Sequence, residues 1–197
     1  MSLFVEGEGN TPLAMEEQTE LIPNLATKEE LNEWERQNIL EAYAWALDPG
    51  SLRRRDPLVE SYIRDLHLRM FDQTWRWAGV YRTTEKNIGV PHHEIREGIG
   101  TLIGDARYWL EHGTYPPDEL AVRVHHRLVL IHPFANGNGR HARLIADVLA
   151  QRQERPVFSW GGGENLARAS DFRRRYIAAL QAADVHDIAP LLAFARS

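Results

Sequence analysis

With 197 residues, 23 Lys and Arg against 28 Asp and Glu, and a net charge of −5, the chain is long enough for one well-cored domain and too acidic for a general nucleic-acid surface. Its 43% hydrophobic and 26% charged content excludes wholesale disorder. With no cysteine there is no disulfide framework and no thiolate site, which suits a reducing cytoplasm, and no apolar run or N-terminal leader points to a membrane or to secretion.

Residues 1–26, with Gly7, Gly9, Pro12 and Pro23, read as an irregular arm. Thr27 and Glu30 form a capping box that opens a helix to about Leu47, with Leu31, Trp34, Leu40, Tyr43 and Leu47 as its buried stripe, stopped by Asp48-Pro49-Gly50. The arginines at 53–55 read as a solvated linker face. Asp56 caps a second helix with Pro57 at its first position and Leu58, Tyr62, Leu66, Met70 and Phe71 inward, running to about Trp75. Residues 77–91, rich in β-branched and aromatic side chains around Lys86-Asn87, suggest a short hairpin. A helix follows from about His93 to His112, then one capped by Asp118 that carries Leu120, Val124, Leu128 and Ile131. Another begins near Asn138 and runs to about Gln153 with Leu144, Ile145, Val148 and Leu149 inward. Gly161-Gly162-Gly163 reads as a turn without the Gly-Lys-Ser/Thr ending of a P-loop. Ser170 caps a helix with Phe172, Tyr176, Ile177 and Leu180, and a last helix starts near Asp187. The sum is an all-α chain with one small β element.

The chemistry concentrates in Ile131-His132-Pro133-Phe134-Ala135-Asn136-Gly137-Asn138-Gly139-Arg140-His141-Ala142-Arg143. Gly137 and Gly139 allow backbone N–H groups to turn inward as an anion-binding nest, and a helix starting near Asn138 aims its dipole at the same spot. Arg140 and Arg143, three apart on that helix, can each fork onto a phosphate, and His132 can take a proton near neutral pH. The histidines at 92, 93, 125, 126 and 141 fit no standard zinc spacing, so no zinc site is expected, and Arg173-Arg174-Arg175 reads as a solvated helix face.

The stretch resembles the Fic family signature H-x-F-x-(D/E)-G-N-G-R-x-x-R, matching at His132, Phe134, Gly137, Asn138, Gly139, Arg140 and Arg143 and departing at Asn136. The resemblance implies a Fic-fold helical bundle that moves AMP from ATP to a Ser, Thr or Tyr hydroxyl of a target protein. In it His132 is the general base, the 137–139 turn holds the phosphates and the two arginines grip their tail. The family's acid at position 136 binds Mg²⁺ or Mn²⁺, so Asn136 leaves the metal ligand open. Trp77-Ala78-Gly79 and the residues after it resemble the Fic flap, which implies a small hairpin over the nucleotide, with Thr84, Glu85, Lys86, Asn87, Ile88 and Gly89 docking the target as an added strand.

The likeness covers roughly residues 56–197 as the Fic domain, with 27–55 as an added helix and linker. Residues 10–13 and Leu31-Asn32-Glu33-Trp34-Glu35 also resemble the Fic subgroup called mobile mystery protein B. Ser2-Leu3-Phe4-Val5-Glu6-Gly7 matches the inhibitory pattern (S/T)-x-x-x-E-(G/N), in which Glu6 would pair with Arg143. Rival readings are a nucleotide-binding interaction protein that has lost catalysis, and γ-phosphoryl transfer as in the Doc group. A toxin-like role held by a small antitoxin partner fits either, and the oligomeric state is not legible.

Overall fold

The computed structural model describes residues 12–162 and 170–197. Its helices are α1 (Met15–Gln18), α2 (Lys28–Ala46), α3 (Pro49–Arg54), α4 (Glu60–Phe71), α5 (Ile95–His112), α6 (Pro117–Ile131), α7 (Asn138–Arg152), α8 (Ser170–Asp184) and α9 (Ala189–Arg196), with a 3₁₀ turn at His92–Glu94. Glu6, and Gly163 of the glycine triplet, lie outside the described residues.

Apolar periodicity explains the core. Leu120, Val124, Leu128 and Ile131 on α6 and Leu144, Ile145, Val148 and Leu149 on α7 are buried at helical spacing, and these two helices pack together at the centre. The pair α2–α4, then α5 against α6 and the pair α8–α9, close around them. The loop joining α6 to α7 is thereby ringed by α4, α2 and the segment after α4. Residues 12–26 are strapped to that segment: Ile22 N–H donates to Thr74 O at 2.9 Å, Arg76 N–H to Glu20 O at 3.0 Å, and the Trp77 indole to Glu17 O at 3.1 Å.

Four expectations change. Thr27 and Glu30 do form the capping box. Yet Trp34 is 44% and Leu40 50% exposed, and the inward face of α2 is Leu31, Glu35, Asn38, Ala42 and Ala46. Two polar side chains can hold core positions because each has partners, Asn38 donating to Arg69 O at 3.0 Å and Glu35 accepting from the Trp75 indole at 2.8 Å. Second, Asp48 and Pro49 start α3 instead of ending the chain's helical run, with the Asp48 carboxylate accepting from Ser51 N–H at 2.9 Å. Third, α4 begins at Glu60; Asp56 makes a turn, accepting from Leu58 N–H at 2.9 Å. Similarly α6 has Pro116 as its N-cap, leaving Asp118 to receive Arg196 and Arg155. The Ser170 cap and Phe172 concern side chains outside the description.

The fourth correction is the flap. Among the described residues there is no strand, only isolated antiparallel bridges at Leu21–Trp75 and Tyr81–Phe134. Residues 80–82 pair with the α6–α7 loop, Arg82 N–H donating to Pro133 O at 2.9 Å, so the edge a hairpin needs is already taken. Arg82 completes the effect. Its buried guanidinium donates to Thr84 O at 2.9 Å and to Val90 O at 2.5 Å, which winds residues 83–90 around one side chain instead of letting them pair with each other.

Candidate active site

Helix α6 ends in a left-handed residue, and that residue is His132, with φ 53°. A non-glycine there costs about 1 kcal/mol or more, so the surrounding contacts must hold it. They are specific: His132 N–H closes the helix on Leu128 O at 3.0 Å, and its own carbonyl accepts Arg82 Nε at 2.7 Å. The chain then drops Phe134 into the core, fully buried and stacked on the His67 ring at 3.7 Å between centroids. Asn138 locks the loop, its Oδ1 accepting from Phe134 N–H at 2.9 Å and its Nδ2 donating to Phe134 O at 2.8 Å. The side chain of Asn138 is therefore a clamp on the loop, and only its backbone faces outward chemistry.

His67, which sequence patterning does not single out, supports the loop from below. Gly79 N–H donates to its Nδ1 at 3.0 Å, so Nε2 carries the proton and donates to Asn136 O at 3.0 Å. Burial first, then His141 nearby, pushes its pKa well below the ordinary value. A neutral, doubly bonded imidazole thus fixes the carbonyl just before the glycine turn. The apolar i, i+3, i+4 pattern of α4 was the available signal, since a histidine on that face needs two partners.

The turn itself is shaped by contact. Gly137 has φ 78°, and a Cβ there would lie 2.4 Å from the Phe71 ring. Gly139 is different: helical, with a Cβ meeting only Tyr176 Oη at 3.7 Å among the described residues. Packing against the described residues does not require glycine at 139, whereas close approach of a ligand to the α7 N-terminus would. The Gly137 N–H is at present taken by Asn136 Oδ1 at 2.5 Å, so a phosphate seated in the nest must first turn that side chain away.

The arginines diverge. Arg140 lies over Phe71, 4.9 Å from the ring centroid, and pairs with Glu35 at 2.6 Å. Glu35 is buried and holds the Trp75 indole with its other oxygen. Arg143 lies over Tyr176 at 5.9 Å. The residue that sequence reasoning passes over is Glu35, which α2 delivers onto Arg140; its place on the inward face, four after Leu31, was the clue.

His132 is 5% exposed, and its pKa is lowered to about 4 by burial, then by the Arg82 charge, against a raising hydrogen bond to the Val129 backbone. At neutral pH it is a neutral imidazole able to accept a proton. The flap reaches it directly: a Cβ at Gly89, φ 104°, would sit 2.6 Å from His132 Cβ, and Val90 N–H donates to Ile131 O at 3.4 Å. Of the flap residues, Thr84 donates to Glu17 Oε1 at 2.6 Å and Lys86 ion-pairs with Glu17 and donates to Pro12 O at 3.0 Å. Glu85, Asn87, Ile88 and Gly89 face solvent.

Among the described residues no metal site is built beside the loop. Asn136 offers a neutral amide oxygen committed to Gly137, and hard divalent cations favour anionic oxygens. The residues present do not fit a resident ion there.

Comparison with known proteins gives the likeness of the chain in sequence and fold. Residues 57–150 match the model of the Fic/DOC family. Protein adenylyltransferase fic-1 of Caenorhabditis elegans is 31% identical over 120 residues, and protein adenylyltransferase Fic of Aedes aegypti 34% over 120; each alignment covers 59% of this chain and 22% of the relative. The chain thus spans about a fifth of the length of the curated relatives it matches. A Fic domain containing signaling protein of Bacteroides thetaiotaomicron superposes with a TM-score of 0.62 at 25% identity, covering 88% of this chain and 70% of that one. BepC of Bartonella tribocorum, solved with bound AMPPNP, superposes at 0.61 with 18% identity over 93% and 97% of the two chains, a likeness of fold.

Proposed function

Since residues 57–150 are a Fic/DOC family domain, we propose that the chain is a protein adenylyltransferase, moving AMP from ATP to a Ser, Thr or Tyr hydroxyl of a target protein. The observation that carries the reading is a neutral, buried imidazole, His132, held by the flap at the mouth of a helix N-terminus whose first turn bears Arg140. The nucleotide's phosphates would lie across the 137–139 turn, with Arg140 and Arg143 neutralising their charge. A target hydroxyl beside Gly89 would give its proton to His132 while its oxygen attacks the α-phosphorus and pyrophosphate leaves in line. Orientation and charge neutralisation supply most of the acceleration in such transfers. The decisive experiment is intact-mass and peptide mass spectrometry of candidate proteins after incubation with ATP. Added AMP supports the reading, added phosphate supports the Doc-type reaction, and no adduct leaves a nucleotide-binding protein.

Glu35 bears on how active the resting chain is. Its carboxylate occupies the guanidinium that would receive phosphate, so nucleotide must compete for Arg140. Glu35→Gln should therefore tighten ATP binding by roughly three- to tenfold, the scale of one ordinary net hydrogen bond, because glutamine keeps a neutral acceptor beside Arg140. Isothermal titration with ATP reads this; equal affinities would mean that Arg140 does not meet the nucleotide.

Asn136→Asp tests the departure from the family pattern. The added charge repels a bare nucleotide and supplies an anionic ligand to a nucleotide-bound ion, so the variant's half-saturating Mg²⁺ concentration should fall below that of the parent. Superimposable Mg²⁺ titrations would place position 136 away from the ion.

A further inference from the structure

The geometry points to a zinc-class metal site on the outer rim of the flap, formed by Glu85, His92 and His93. Their ligand atoms all lie within 4.8 Å of one another. Sequence spacing hides the trio because the carboxylate comes from the start of the flap and the imidazoles from its end. The fold joins them: Arg82 grips Thr84 O and Val90 O, closing residues 84–90 into a loop whose two ends carry the three ligands.

The arrangement is already half organised. Glu85 Oε1 accepts from His92 Nδ1 at 2.6 Å and from His92 N–H at 3.3 Å, and the two rings stand perpendicular with centroids 5.6 Å apart. Tetrahedral ligands about 2.1 Å from an ion stand roughly 3.4 Å from each other, so His92 and Glu85 must part by less than about 1 Å while His93 closes in. All three side chains are exposed and make this adjustment without disturbing the core. The ion takes the place of the proton that the neutral His92 ring donates to Glu85, and that proton moves through solvent to the ring's other nitrogen. Water fills the fourth position; Glu94 lies 3.8 Å from His93 Nε2 but outside the three-residue cluster.

The donor set selects the metal. Two imidazoles and a carboxylate suit Zn²⁺, Ni²⁺ or Cu²⁺, whereas Mg²⁺ prefers oxygen ligands and retains its waters. The site is distinct from any ion carried by a nucleotide. Arg82 Nη1 lies 3.8 Å from the other carboxylate oxygen, Oε2, an attraction that leaves Oε1 to the histidines, while the guanidinium charge repels a bound cation and weakens its binding. A bound ion would tie residue 85 to residues 92–93 and stiffen the loop that touches His132 through Gly89, and its open position could take a side chain of a docked protein. None of this depends on the transferase reading.

The test is isothermal titration of ZnCl₂ into the untagged full chain in a non-chelating buffer, with Co²⁺ absorption as a second readout. One saturable site is expected, unaffected by excess Mg²⁺. His92→Gln, His93→Gln and Glu85→Gln should each weaken it about tenfold or more, since loss of even an outer-sphere partner costs that much. His112→Gln, an exposed control whose ring contacts Tyr108 O, should leave it unchanged. Thermal melts check that each variant is folded. No saturable binding, or binding that survives His92→Gln and Glu85→Gln in folded protein, overturns the proposal.

Discussion

Exchanging His132 for alanine should cut AMP transfer by about 10²–10⁴-fold at saturating ATP, the usual cost of losing a general base. The ring sits beside the phosphate turn without forming it, and its backbone bonds to Leu128 and Arg82 survive the substitution, so ATP binding should hardly change. Because φ is 53°, alanine adds some backbone strain, and His132→Asn provides the control, asparagine tolerating that conformation better. Both variants should lose transfer and keep nucleotide affinity. Transfer at the parental rate in either one, measured by the mass adduct with ATP saturating, removes His132 from the mechanism. A pKa near 4 makes the imidazole a weak base. The anionic phosphates raise it on binding, offsetting Arg82, so the pH limb of transfer should lie above 4.

A second large effect concerns acid stability. His132 and His141 are buried with pKa values lowered to about 4, and His67 and His125 are shifted in the same direction, each first by burial. Between about 4 and 6.5 the unfolded chain binds protons on these groups that the folded chain refuses, so stability falls as pH drops through that window. Asp147 acts oppositely: burial raises its pKa to about 6, so the folded state takes up its proton first and gains stability as pH falls. At pH 5 the two histidines at about 4 together cost roughly 4 kcal/mol against about 1 kcal/mol returned by Asp147. The melting temperature should therefore fall by about 10 °C between pH 7 and pH 5. Asp118, whose pKa is lowered chiefly by Arg196, loses its contribution only below the ordinary carboxylate range and lies outside this window. Differential scanning calorimetry at the two values decides it, and a flat or rising melting temperature would mean that these rings are charged in the folded protein.

Much of this was legible because short-range chemistry dictates it. The 132–143 stretch could be read as loop plus helix N-terminus from two glycines, an asparagine and periodic apolar residues, and α6 and α7 lie there. The core positions of α4 and α7 follow simple 3.6-residue periodicity. What escaped depends on partners far away in the chain. Glu35 belongs to the inward face of α2 only because Arg140 and Trp75 meet it, so apolar patterning wrongly favoured Trp34 and Leu40. The flap is rich in strand-forming residues, but one buried arginine and the carbonyls it collects outweigh that propensity. The Glu85–His92–His93 cluster is invisible for the same reason.

The distances along the chain between these partners also fix a timetable. Glu17 precedes Thr84 by 67 residues, Arg82 precedes His132 by 50, and Glu35 precedes Arg140 by 105. On a ribosome adding about 5–20 residues per second, the arm and α2 wait several seconds for the groups that hold them. Every link to the proposed base closes toward the C-terminus, so the flap's arginine stays without its main acceptor until the end of α6 has been made. A nascent chain halted before α7 carries neither the 137–139 turn nor Arg140, so the proposed transfer is silent by order of synthesis. For the transferase proposed above, the ribosome is then the first safeguard.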